Sequence, residues 1–393
     1  MMKILLTTDW YKPVINGVVT SVVNLAIGLE ALGHEVRVLT LSPNRHSSCD
    51  GKVTYIGSMS AGLIYPNARL RTAHAEAYLE ALIEWQPDVV HSQCEFSTFI
   101  MAQRIAASCA CPLIHTYHTV YEDYTHYFSP SERFGKALAA WFSRYSVNKT
   151  QAVIVPTEKV RDLLIRYDVN APISVVPSGL DLRQYRAPLS GEARAKKRQA
   201  LDFGPEDKVL IYLGRLSKEK NISEVLALFA KREDAHLKLL LVGDGPYRPT
   251  LEEEVAQLNI ANRVTFTGMV APDEVAAYYS LGDIFVSASQ SETQGLTYIE
   301  AMAAGLPLLC HYDDCLMDVV NNGVTGYTYT TEEEFHHYLD LLLAQDTHKE
   351  MGQAAKDRAF CRYSSKTFAE HVQDVYKEQL ICYHAGLLSP CLI

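Results

Sequence analysis

The sequence predicts an α/β protein of two Rossmann-like domains that face each other across a cleft. Three observations predict it. Short strand-like runs alternate with helical patterns from end to end. The strand runs are apolar at successive positions rather than alternate ones, as in parallel sheets covered on both faces. One polar stretch, residues 181–207, has no strand pattern and divides the series in two. The domains are accordingly 1–182 and 183–365, with a closing helix at about 366–393 packing back on the first. Open parallel sheets bind ligands beyond the carboxyl ends of their strands, so the loops of both domains are expected to converge on the cleft.

The elements follow in order. KILLTT (3–8) is the first strand. It leads through a loop to SVVNLAIGLEALG (21–33), which is apolar at helical spacing and is stopped by Gly33. EVRVLTL (35–41), DVVHSQ (88–93), PLIHTYH (112–118) and AVIVPT (152–157) continue the first strand series. KVLIYLGRL (208–216), LKLLLVGDG (237–245), RVTFTGMV (263–270), DIFVSAS (283–289) and PLLCHY (307–312) form the second. SSKTFAEHVQDVYKEQL (364–380) has the period of an amphipathic helix.

Length and composition narrow the function classes. With 393 residues, 48% hydrophobic, the chain can fill at least two cores. A net charge of −10 argues against a general nucleic-acid binder, which needs a basic surface. Residues 1–180 carry 15 Lys+Arg against 15 Asp+Glu, so the remainder holds the whole acidic excess, 21 against 31. The opening MMKILLTTDW is too short an apolar run for a signal-peptide core, and Asp9 interrupts it. No stretch approaches the roughly 20 apolar residues of a membrane span. The nine cysteines include no CxxC pair, and Cys109 and Cys111 are too close for a zinc knuckle. Free thiols in a reducing cytosol are the expectation.

Four loops carry residues suited to chemistry. In YKPVINGVVTSVVNLA (11–26), Asn16-Gly17 permits a tight turn, and the helix beyond offers free amides to an anion. No GxGxxG is present, and an ordinary βα turn fits the same residues. In GRLSKEKNI (214–222), Arg215 and Lys220 could neutralise a diphosphate, the arginine by a two-pronged contact. A solvated loop that also holds Lys218 and Glu219 is the alternative. VGDGP (242–246) is a strand-end turn, mainly conformational in role. In SETQGLTYIEAMAAGLP (291–307), Glu292 lies just past a strand and Glu300 about one turn into a helix, roughly 5–8 Å on. The helix entrance between them favours a phosphate. A diphosphate held there would have a sugar near Glu292 and a ribose near Glu300, and carboxylates accept well from paired hydroxyls.

Together, the Glu292-x7-Glu300 spacing, the GRL…EK loop, the NGV turn and PSGLD (177–181) resemble the family-4 retaining glycosyltransferases over nearly the whole chain. The resemblance implies the two-Rossmann GT-B fold, with an acceptor-binding first domain and a nucleotide-sugar-binding second. By motif, Arg215 and Lys220 match the pair that stabilises the leaving nucleotide diphosphate, and Glu300 the ribose clamp. Glu292 matches the residue that holds donor-sugar hydroxyls, beside the backbone amides of Gln294, Gly295 and Leu296. Gly17 matches the loop glycine near the diphosphate. Met269 and Val270 match the backbone edge that reads the base, and His118 the histidine that reaches the sugar near its reacting carbon. ETQGL replaces the commoner EGFGL, a departure that bears on sugar preference.

Residues 115–149 bear on the acceptor. TYHTVYEDYTHY resembles bacterial members of this family that glucosylate diacylglycerol and, less closely, those that mannosylate phosphatidylinositol. Tyr117, Tyr121, Tyr124 and Tyr127 offer apolar faces with polar tips, suited to an interface or to a core. The helix pattern that follows has Arg133, Lys136, Arg144 and Lys149 against Glu132, with Phe134, Leu138, Trp141, Phe142 and Tyr145 as bulky members. Such a helix can lie on an anionic bilayer or pack on a sheet. The resemblance favours a lipid acceptor, with Tyr121, Tyr124, Arg133, Lys136, Trp141 and Arg144 facing it or the membrane. The expectation is glucose transfer from UDP-glucose to a diacylglycerol-type hydroxyl, with retention, by a cytoplasmic enzyme bound peripherally to the inner face of the cell membrane. No Asp-x-Asp pair appears, so neither metal nor other cofactor is expected. The alternatives are a GDP-mannose donor with a phosphatidylinositol-type acceptor, a soluble sugar acceptor, a nucleotide-sugar epimerase, and a non-catalytic nucleotide-sugar binder.

Overall fold

The computed structural model describes residues 1–14, 16–60, 69–72, 75–122, 125, 131–187, 189–344 and 347–386. The chain divides into two compact units, Met1–Gly179 with Ser365–Ile393, and Leu180–Ser364. Leu180 belongs with the second unit because its N–H donates to the Tyr363 carbonyl and its side chain is buried beside Leu182 and Tyr185.

The first unit contains β1 (Lys3–Thr8), β2 (Glu35–Leu41), β3 (Ser48–Asp50), β4 (Val53–Ile56), β5 (Ser58–Ser60), β6 (Arg69–Arg71), β7 (Val89–Ser92), β8 (Leu113–Thr116), β9 (Ala152–Val155) and β10 (Ile173–Val175). Eight of these form one sheet in the order β10-β9-β8-β7-β1-β2-β4-β3, parallel except for β3, while β5 and β6 make a separate antiparallel pair. The second unit contains β11 (Lys208–Leu213), β12 (Leu237–Val242), β13 (Val264–Gly268), β14 (Ile284–Ser287), β15 (Leu308–His311) and β16 (Gly326–Tyr329). All pair in parallel, in the order β13-β12-β11-β14-β15-β16.

Central strands such as β1 and β11 are buried on both faces: Ile4, Leu5, Leu6, Val209, Leu210 and Ile211 are all fully covered. Each sheet reverses its strand order once, at β1/β7 in the first unit and at β11/β14 in the second. Backbones diverge there beyond the carboxyl ends, opening a crevice that neighbouring loops line.

The closing helix Ser365–His384 packs on the first unit, burying Phe368, Ala369, Val372, Val375 and Tyr376 with Leu25, Leu29 and Val36. Each of the larger aliphatic and Phe side chains contributes about 1.5–3 kcal/mol of burial. The Tyr376 hydroxyl is matched inside by His91 Nδ1 at 2.6 Å. Its partner helix, Gly17–Ala31, approaches so closely at Gly28 that a Cβ would lie 2.6 Å from the Ser365 carbonyl oxygen and 2.7 Å from Ala369 Cβ. Gly28→Val is therefore expected to destabilise the fold by about 1–3 kcal/mol through overpacking. Urea titration checks this, and an unchanged midpoint would contradict the close approach.

Candidate active site

In the second unit, the loops leaving β11 and β14 meet at the order reversal. Arg215 is exposed, and its guanidinium has no hydrogen-bonding or ionic partner among the described residues. Lys220 ends a short turn, Lys218–Lys220, and its Nζ lies 2.6 Å from Glu292 Oε1. Their side chains are 18% and 17% exposed, so the pair is sheltered yet reachable. Ser289 donates to the same carboxylate oxygen at 3.0 Å, and Ser291 donates to the Glu219 carbonyl at 3.2 Å, tying the two loops together. The sequence assigns Lys220 to the diphosphate and Glu292 to the sugar without linking them; the structure couples them as an ion pair.

Beyond Glu292 the chain enters the helix Leu296–Ala303. Its cap, Gly295, has φ 72°, and a Cβ there would fall 2.3 Å from the Tyr298 ring, so only glycine fits. The first-turn amides of any helix lack acceptors within it and suit an anion. One turn in, Glu300 is half-buried and accepts a hydrogen bond from the Tyr279 hydroxyl at 3.0 Å. Burial pushes its carboxyl up to about 7, with the Tyr279 bond pulling against that rise. Met269 and Val270 follow β13 at the same sheet end, Met269 exposed and Val270 packed on the core. β13 stands two strands from β11, roughly 10 Å away. Arg215, Lys220, Met269, Val270, Glu292, Gln294, Gly295, Leu296 and Glu300 thus share one end of one sheet.

In the first unit, Gly17 opens the helix after β1. The preceding Asn16 caps it, its side chain accepting from the Val19 amide at 2.8 Å. His118 follows β8, and its Nε2 lies 2.8 Å from Gln93 Oε1, in the loop after β7. Burial pushes the imidazole down to about 4, against the pull of Glu95 and with a further push from His115. His118 is therefore neutral at physiological pH. Beside it, Glu95 holds His115 Nε2 at 3.1 Å and accepts from the Tyr121 hydroxyl at 2.6 Å. Asp9 accepts from the Thr98 amide and hydroxyl, and burial pushes its carboxyl up to about 6. Tyr121 thus turns inward, its ring also meeting Phe142 edge-on, instead of facing a membrane. Tyr124 and Tyr127 lie outside the described residues.

Residues 193–358 match the family described as Glycosyl transferases group 1, and residues 15–184 that described as Glycosyltransferase Family 4. An alpha-monoglucosyldiacylglycerol synthase of Streptococcus pneumoniae is 35% identical, across 97% of this chain and 86% of its own length. The chain belongs to this glycosyltransferase family. A second alpha-monoglucosyldiacylglycerol synthase, from Acholeplasma laidlawii, is 31% identical across 95% of this chain and 96% of its own. Among solved structures, Anabaena Alr3699/HepE in complex with UDP-glucose superposes with a TM-score of 0.74 at 18% identity, covering 96% of this chain and 100% of that one. Sucrose-phosphate synthase from Thermosynechococcus elongatus gives 0.74 at 20%, covering 97% and 100%. The fold is that of the GT-B glycosyltransferases, and the enzyme is a hexosyltransferase.

The glycosyltransferase carries its remaining sequence candidates on the helix Glu132–Val147, capped by Ser131. Its buried side is made mostly of small residues, Gly135, Ala139, Ser143 and Ser146, with Val147 at its end. Phe134, Leu138, Trp141 and Tyr145 are exposed, at 65%, 39%, 53% and 53%. Arg133, Lys136 and Arg144 are exposed beside them, Lys136 paired with Glu132 at 2.7 Å and Arg144 with Asp168 at 3.6 Å. Among the described residues, no helix is long and apolar enough to cross a membrane.

Sequence reading missed Asp9, Gln93, Glu95 and His115. The available signal was polar residues at the carboxyl ends of the strand patterns of β1, β7 and β8, His115 inside β8 and the others just beyond a strand, where a buried network replaces the usual solvated loop.

Proposed function

We propose that this glycosyltransferase moves glucose from UDP-glucose to the free hydroxyl of a diacylglycerol-type lipid, with retention, at the inner face of the cell membrane. The observation that carries the reading is the 35% identity, sustained over 97% of the chain, to an enzyme named as a monoglucosyldiacylglycerol synthase. Arg215 and Lys220 balance the charge of the departing diphosphate, helped by the amides at the helix entrance after Gly295. These groups meet the need for positive charge without a metal ion. Glu292 holds sugar hydroxyls and Glu300 the ribose. The bond from the anomeric carbon to the phosphate oxygen breaks as the acceptor oxygen bonds on the same face. The acceptor's proton passes to the leaving phosphate, so no side chain is the nucleophile. His118, being neutral, orients the sugar by hydrogen bonding rather than taking that proton.

The test incubates the purified enzyme with UDP-glucose, UDP-galactose or GDP-mannose and anionic vesicles containing diacylglycerol, glucosyl-diacylglycerol or phosphatidylinositol, with soluble sugars as a separate arm. Glucosyl-diacylglycerol formed from UDP-glucose, at a rate unchanged by a chelator, is the expected product. Transfer to soluble sugars with no lipid product, or epimerised donor without acceptor, would overturn the reading.

The exposed aromatic stripe on Glu132–Val147, flanked by basic residues, suits the headgroup region of an anionic bilayer. Replacing Phe134 and Trp141 together by serine is expected to weaken vesicle binding about tenfold or more, given the apolar area withdrawn from lipid. Flotation with anionic vesicles checks this. Equal binding by the variant and the parent would show that the stripe does not meet the membrane.

A further inference from the structure

We infer that Gln93 is a positioning residue for His118, its buried carboxamide holding the imidazole by Nε2 while presenting no negative charge to it. The inference rests on the reading of His118 as the group that orients the donor sugar. Gln93 is 2% exposed, fixed at the carboxyl end of β7, and its Oε1 lies 2.8 Å from His118 Nε2. That contact makes Nε2 the donor and leaves the lone pair on Nδ1. The carboxylate nearest in sequence, Glu95, is occupied elsewhere: His115 Nε2 takes one oxygen and the Tyr121 hydroxyl the other.

The other ionisable groups around His118 are accounted for. Glu95 favours its protonation and His115 opposes it. His91, on β7, is itself held neutral by burial and repelled by both other histidines. Asp9 lies beside Glu95, its carboxylate taken up by the Thr98 amide and hydroxyl. Burial does most to hold the ring neutral, and the partner at Nε2, being an amide, sets no negative charge against it.

Many catalytic histidines are backed by a carboxylate, which raises their basicity and favours the imidazolium. Glycosyl transfer passes through an oxocarbenium-like state with positive charge at the anomeric carbon. A cationic imidazole beside that carbon would oppose the reaction, whereas a neutral ring can still orient a hydroxyl. An amide in place of an acid behind His118 is what this chemistry calls for.

The test compares Gln93→Glu and Gln93→Leu in the full-length enzyme, following the His118 ring by NMR and the pH profile of kcat with UDP-glucose and diacylglycerol vesicles. Thermal unfolding by circular dichroism and the dispersion of first-unit amide signals in the NMR spectrum report that each variant is folded. In Gln93→Glu, the His118 titration is expected to rise by about 1–3 pH units, and kcat to acquire a matching loss on the acid side. In Gln93→Leu, the ring stays neutral and kcat falls about tenfold at every pH, with the donor KM nearly unchanged, because the ring is no longer held. An unmoved titration and pH profile in Gln93→Glu, with His118→Ala inactive, would overturn the role of Gln93 alone. Normal turnover in His118→Ala would overturn the reading of His118 and this inference with it.

Discussion

Alanine at Lys220 or at Arg215 is expected to lower turnover by about 10²–10³-fold, the cost of removing one preorganised donor from developing negative charge. The two variants should differ in what else they disturb. Arg215 is exposed and lies in a loop, so its removal should leave stability and donor-free structure unaltered. Lys220 is held 2.6 Å from Glu292, and its loss strands a sheltered carboxylate where a diphosphate must bind. Lys220→Ala should therefore also raise the donor KM. Adding Glu292→Gln to it should recover donor binding without recovering turnover. Arg215→Lys should recover little, because a point charge cannot reproduce the two-pronged contact. Steady-state kinetics with saturating UDP-glucose and diacylglycerol vesicles decides the matter. Near-normal kcat in both alanine variants would remove these cations from the mechanism.

UDP binding should take up or release protons near neutrality, through Glu300. Its carboxyl is pushed up to about 7 by burial, so in the free enzyme it is about half protonated at pH 7. A ribose diol donates best to the ionised form, so binding should expel the proton. Affinity should then weaken as pH falls below about 7, by up to about tenfold per pH unit. The effect on folding has the opposite sense. The folded carboxyl binds its proton more tightly than the unfolded one, whose ordinary value is 4.5. The stability linked to Glu300 is thus complete below about 4.5 and is lost as pH rises through about 7. Glu300→Ala is expected to weaken UDP binding by about 10–100-fold, the range for a hydrogen bond to a charged group. Calorimetry at pH 6 and pH 8, in two buffers of different ionisation enthalpy, measures both the affinity and the proton. A pH-independent affinity in the parent enzyme, or a pH dependence that persists in Glu300→Gln, would contradict the assignment.

The ten long strand patterns were legible because burial on both faces leaves an uninterrupted apolar run, as in Lys3–Thr8 and Lys208–Leu213. The observed ends shift inward by one to three residues where polar or glycine positions leave the sheet, by three at Leu213 and Val242. β3, β5, β6 and β10 escaped notice because three residues are too few for any period to register, and β16, GYTY, has no apolar run at all.

At the candidate site, local motifs identified the groups but not their pairing. Lys220 and Glu292 are 72 residues apart, and only the adjacency of β11 and β14 brings their loops into contact. Gln93, Glu95 and His115 were harder still, since a polar residue at or near the end of a strand reads as solvated unless its burial is known. Tyr121 illustrates the converse. Its amphipathic chemistry fitted a membrane surface, but the Glu95 carboxylate, a partner remote in sequence, draws it inward.

The first unit takes its final layer from a helix that begins only at Ser365. A ribosome delivers residues in order, so Phe368, Val372 and Tyr376 emerge after all of Leu180–Ser364 has been made. The half translated first is consequently the half that matures last, its Leu25–Leu29–Val36 surface waiting uncovered while the later sheet closes. During synthesis, that uncovered face is where a chaperone would be needed.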